Sequence, residues 1–100
     1  MLTASSEIQD LDELRQLVYQ TLCEQNGLEI GAFPMTERIL VRGISPCGIF
    51  FCLHGPRSVR FTAIWETDQN SILFYGSNGE RSHKTRLTET PDLALHAEAA

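Results

Sequence analysis

The chain has 100 residues, 42% hydrophobic and 21% charged, with 13 acids against 8 bases for a formal net charge of −5 at pH 7. This is ordinary globular usage, which excludes a disordered or low-complexity chain, and the length is that of one domain with one core and no deep dry cleft. Apolar runs such as Ile49 to Leu53 fall far short of the roughly 18–20 residues of a membrane span, and Met1 to Ser6 holds neither a base nor a signal-like apolar stretch, so a soluble cytoplasmic protein is expected.

The strongest local signal is a helix over about Leu11 to Gln25. Asp10 precedes it as N-cap and Glu13 lies three residues on, the spacing of a capping box, with Ile8 upstream as a packing residue. Leu14, Leu17, Val18 and Leu22 recur at helical spacing and form one apolar stripe. Asn26-Gly27 supplies a left-handed end, followed by Leu28 where a capping contact is usual.

From Arg38 the period changes to two. Ile39-Leu40-Val41 reads as a first strand ending near Gly43, Ser45-Pro46-Cys47-Gly48 as a turn, and Ile49 to Leu53 as a second strand, apolar on both faces. After a turn at His54 to Arg57, Ser58 to Glu66 is the clearest strand: Val59, Phe61, Ala63 and Trp65 point one way and Arg60, Thr62, Ile64 and Glu66 the other. Thr67 to Asn70 turns the chain into a fourth strand, Ile72 to Tyr75, and Gly76 to Gly79 carries an Asn-Gly hairpin signal. Arg81 to Leu87 is a polar fifth strand expected at an edge. Thr90 and Pro91 could open a short C-terminal helix, although an Ala-rich frayed tail fits equally.

Short connections between these strands are hairpin loops, not crossovers. The expected fold is therefore α+β: an N-terminal helix packed on a four- to five-stranded antiparallel meander. Residues 1–9 are expected to be a flexible N-terminus, 10–88 a single α+β domain and 89–100 a short helix or frayed tail. The sheet is read as open, with closure into a small barrel as the alternative. One helix followed by five strands resembles the order of Sm-like barrels, but order without a residue pattern carries no function.

Charge is unevenly spread. Residues 1–35 hold Arg15 against six acids, and the last thirteen residues hold Glu89, Asp92 and Glu98 with no base. The sheet-forming middle, residues 36–87, has a net charge of +3, from seven bases against four acids. An anionic partner would be met there, although this is a weak field for nucleic acid.

Cys47, Cys52 and His54 are the nearest approach to a metal or nucleophile cluster. A zinc site wants a second close pair, which would have to come from His83 or Cys23, and buried reduced thiols are the plainer account. The loops Gly55 to Ser58 and Gly76 to Gly79 lead from strand to strand, so they lack the helix N-terminus a phosphate loop uses. No cofactor is implied. Arg57, Arg60, Arg81, Lys84 and Arg86 could share a sheet face with Phe50, Ile64 or Tyr75 between them, a pattern that suits single-stranded nucleic acid or another anion. The plainer account of these bases is a solvated polar face.

One helix cannot cover both faces of an apolar sheet, so Leu93 and Leu95 of the tail, or another chain, must cover the second. The leading expectation is a small non-catalytic interaction module that homodimerises or docks a protein partner through the sheet, with protein contacts at Phe50, Ile64 and Tyr75. A nucleic-acid- or anion-binding module is second and a Cys/His enzyme or zinc protein third.

Overall fold

The helix forms where its capping chemistry and periodicity coincide. In the computed structural model, which describes residues 2–6, 10–88 and 91, helix α1 runs over Leu11–Gln25. The Glu13 N–H donates to Asp10 Oδ1 at 2.8 Å, which satisfies one of the orphan donors of the first turn. At the other end the Leu28 N–H reaches the Cys23 carbonyl at 2.8 Å and the Gly27 N–H the Glu24 carbonyl at 3.5 Å, with Gly27 left-handed, the double closure of a Schellman motif. Ile8 lies outside the described residues.

Six strands follow the chain as β1 (Leu2–Ser6), β2 (Met35–Arg42), β3 (Ser45–His54), β4 (Arg60–Glu66), β5 (Ser71–Tyr75) and β6 (Arg81–Leu87). They form one sheet in the order β1-β6-β5-β4-β3-β2, so β2 to β6 are an antiparallel meander and the fold is α+β. The sheet is open, with β1 and β2 at opposite edges.

The described strands correct the sequence reading in three places. Leu2–Ser6, expected to be flexible, pairs in parallel with β6, so β6 is an interior strand and not an edge. Ser45 to Gly48 is not a turn but the start of β3: the hairpin closes at Gly43-Ile44, where glycine at the first loop position takes the positive φ of +64° that such a turn demands. Cys47 is then the extra residue of a bulge, since Leu40 pairs with Gly48 and Val41 with Pro46. Finally, the strand expected at Ile39-Leu40-Val41 is β2, which begins four residues earlier, at Met35. The expected C-terminal helix lies outside the described residues apart from Pro91, which is in neither helix nor strand.

The core lies between α1 and one sheet face. Leu11, Leu14, Val18, Leu22 and Cys23 meet Ile49, Phe51, Leu53, Phe61, Ala63, Trp65, Ile72, Phe74 and Leu87. Trp65 is fully buried, and its indole N–H donates to Asn70 Oδ1 at 3.1 Å, so its polar atom is satisfied. Asn70, at φ +47°, also donates from Nδ2 to the Leu87 carbonyl and accepts the Leu87 N–H on its own carbonyl, tying the β4–β5 turn to the end of β6.

Across the helix, Arg15 clamps α1 to β2. Its Nε and Nη2 donate to the two carboxylate oxygens of Glu37 at 2.6 and 3.1 Å, and Nη1 donates to Asp12 at 2.9 Å. The hydrogen bond to Glu37 is the main reason the guanidinium pKa is raised.

Candidate docking face of the sheet

Because paired residues project to the same side, the register defines what the sheet presents away from α1. The central row is Arg38–Phe50–Ile64–Leu73–Lys84, one residue from each of β2 to β6. A second row is Thr36–Cys52–Thr62–Tyr75, and a third is Leu40–Gly48–Glu66–Ser71–Arg86. His54 and Arg60 complete the pattern at one end. α1, the one α-helix among the described residues, lies on the other face.

Phe50, Ile64, Leu73 and Tyr75 are each half-buried, a strip of apolar surface neither in the core nor fully wet. Cations border it: the Arg38 guanidinium sits over the Phe50 ring, 5.5 Å from its centroid, and Lys84 follows Leu73 in the same row, paired in turn with Thr3 of β1. Arg60 and Arg86 are exposed on the same side, and Glu66 is the acid that the register places among them.

At one end of the strip is a cleft of about 340 Å³, lined by Leu40, Cys47, Ile64, Glu66, Arg42, Asp68 and Gln69. Its volume is at the low end of ligand-sized sites, which run from about 300 Å³. The Arg42–Asp68 ion pair, 3.1 Å and largely exposed, sits on its rim. The bulge at Cys47 and the close approach of two strands at Gly48 shape this end: a Cβ on Gly48 would run into the Trp65 carbonyl oxygen.

Of the expected contact residues, Phe50, Ile64 and Tyr75 all lie on this face. Among the expected anion-binding residues, Arg60, Lys84 and Arg86 share it, and Arg81 pairs with Tyr75 beyond a bulge. Arg57 is apart from them, in the Pro56–Ser58 turn, where it and Ser58 both take left-handed φ. Sequence reasoning missed Arg38 and Leu40 as members of this face, and register decides for Leu73 and Tyr75 over Ile72 and Phe74. Arg38 and Leu40 flank Ile39 in the alternation, so register across β2 and β3 was the missing information.

The cysteines and histidines are not gathered. Cys47 and His54 stand seven residues apart on β3, about 23 Å at the usual rise per residue. His54 Nε2 is 2.9 Å from Thr36 Oγ1, His83 lies against Phe74, and Cys23 is in the core, where burial raises its thiol pKa. Among the described residues no three His, Cys, Asp or Glu side chains are grouped to hold a metal, and no helix is long and apolar enough to cross a membrane.

A second, shallower groove of about 480 Å³ lies between α1 and β2, lined by Tyr19, Phe33, Pro34 and Met35 with Arg15, Gln16 and Gly31. Its polar groups are already committed: Arg15 to Glu37 and Asp12, and the Tyr19 hydroxyl donating to the Phe33 carbonyl and accepting from the Gly31 N–H. Compared with known protein families, curated proteins and solved structures, the chain matches none.

Proposed function

We propose that this protein is a non-catalytic interaction module of the cytoplasm that docks a polypeptide partner on the sheet face away from α1. The observation that carries the reading is the row Arg38–Phe50–Ile64–Leu73–Lys84, an apolar strip held half-exposed between two cations. A strip of this composition has the make-up of an interface centre, where aromatic and aliphatic contacts combine with Arg. The three cysteines are unpaired, which is the usage of a reducing compartment.

The charge pattern selects among partners. An isologous pairing of two such faces would set Arg38, Arg60, Lys84 and Arg86 against their own copies with only Glu66 to offset them, so a second copy is disfavoured. Ile64, Leu73 and Leu40 offer aliphatic surface where single-stranded nucleic acid needs stacking rings, and Phe50 already carries Arg38 on its ring. An acidic, apolar polypeptide segment suits both the strip and its border.

The test is selection of acidic peptides from a displayed library against the full chain, with counter-selection on the Ile64→Ser/Leu73→Ser variant. Peptides that bind the parent, lose at least about tenfold in affinity on the variant and weaken with salt would support the reading. Selection that yields no peptide dependent on Ile64 and Leu73 overturns it. Retention of a labelled oligothymidylate by the parent, with no peptide selected, would replace it with the nucleic-acid reading.

A further inference from the structure

We propose that two copies of this chain join edge to edge, β2 against β2, into one continuous antiparallel sheet. The surface involved is the rim of the sheet and not the docking face, so the dimer does not depend on what that face binds. β2 is an edge strand: among the described residues β3 is its one partner. The His54 N–H donates to the Pro34 carbonyl at 2.9 Å, which sets the phase of the ladder. Thr36 and Arg38 therefore bond to β3, and the N–H and C=O groups of Met35, Glu37 and Ile39 point outward. Such a row is a template for another strand unless the sequence guards it.

The usual guards are missing. β2 holds no proline, and the bulge of the β2–β3 pair falls on β3. Its three charged residues are each drawn back onto their own chain: Glu37 is held by Arg15, Arg38 lies over the Phe50 ring, and Arg42 pairs with Asp68. Apolar surface stands out instead. Val41 on β2 is 56% exposed, Ile44 at the hairpin tip 98% and Ile30, between α1 and β2, 55%. These are the exposed large apolar side chains among the described residues, and all three lie at the β2 side of the molecule.

Self-complementarity selects a second copy as the occupant. A two-fold axis normal to the sheet relates the two strands, keeps both α1 helices on one side and matches residues of the same face. Centred on Ile39, it sets Arg38 opposite Leu40, Glu37 opposite Val41 and Thr36 opposite Arg42, so no like charges are opposed. The neighbouring registers fail that condition: centring on Glu37 or Arg38 opposes each to itself, and centring on Leu40 opposes Arg38 to Arg42. The Ile39 register also sets Gly43 opposite Met35 and Ile44 opposite Pro34. It thereby brings the exposed Val41 and Ile44 of each copy beside the other's α1–β2 groove, which Tyr19, Phe33, Pro34 and Met35 line. A foreign strand would have to supply those apolar contacts, whereas a second copy already carries them. Both docking faces then lie on one side of the joined sheet.

A single pair of eight-residue strands is a small interface, so dissociation in about the micromolar range is expected. The experiment is sedimentation velocity of the full chain from about 1 μM to 1 mM, with substitutions at the exposed Val41. Val41→Glu sets an acid opposite Glu37 and should weaken the dimer at least about tenfold. Val41→Lys loses the same apolar side chain but sets a base there, and should dimerise at least about tenfold more tightly than Val41→Glu. The Ile64→Ser/Leu73→Ser variant, altered on the face and not at the rim, should dimerise as the parent does. Amide exchange at Glu37 and Ile39 should slow as the parent's concentration rises. A parent that stays monomeric throughout overturns the inference. So does a dimer that Val41→Glu and Val41→Lys affect alike, or one lost in Ile64→Ser/Leu73→Ser instead.

Discussion

Strand β4 carries both faces of the sheet in alternate residues, and the two differ in kind. Phe61, Ala63 and Trp65 go under α1 and are buried, whereas Arg60 and Glu66 are exposed on the opposite side and Thr62 and Ile64 are half-buried there. On the first face the buried neighbours are apolar apart from Thr85, and the Trp65 indole N–H is satisfied by Asn70. On the second, a half-buried strip of aliphatic and aromatic groups is bordered by Arg and Lys. The first face is thus built to be shut permanently, and the second to remain accessible at a tolerable cost in exposed apolar surface. That difference is energetic and can be measured.

The largest effect belongs to the covered face. Trp65→Ala should cost about 3–5 kcal/mol, because it removes a fully buried ring and leaves a cavity under α1, whereas Leu73→Ala should cost about 1 kcal/mol. Equal losses in urea denaturation would break the distinction between the faces. Next is the place where the strands come closest: Gly48→Ala should cost about 1–3 kcal/mol, since its Cβ meets a backbone carbonyl that cannot swing aside. Stability within a few tenths of the parent would show that β3 and β4 are not tightly apposed there.

Smaller again, Asp10→Ala should cost about 1 kcal/mol through loss of the cap on α1, read as a lower denaturation midpoint with unchanged slope. The smallest effect is expected at Cys47, half-exposed in the bulge. Alkylation under native conditions should modify it and leave stability nearly unchanged, while Cys23 and Cys52 react only on unfolding. Native-state modification of Cys23 would mean that α1 does not seal its face.

How much of this was legible in the sequence follows the range of the interactions. α1 was readable because its cap, its stripe and its glycine end are all local. The alternation in β4 sorted Phe61, Ala63 and Trp65 from Arg60 and Ile64 without any partner strand. The start of β3 was not readable: Pro46 and Gly48 look like turn residues. Pro46 instead flanks a bulge, where a missing N–H is tolerated, and Gly48 is needed for the approach to Trp65. β1 was illegible because its pairing with β6 joins the two ends of the chain, and nothing in Leu2 to Ser6 reports that. The candidate face was half visible: Phe50, Ile64 and Tyr75 were identified, but Arg38 and Leu73 joined them only once register was fixed.

The docking face is tested most directly by titrating the full chain with a selected acidic peptide and following all isoleucine, leucine and methionine methyl signals. Saturable movement of Ile64 and Leu73, with Ile49, Ile72 and Leu53 unmoved, is the result expected of a partner seated on the face away from α1. Movement confined to residues of the α1–β2 groove, such as Met35, or no movement at any concentration, would contradict it.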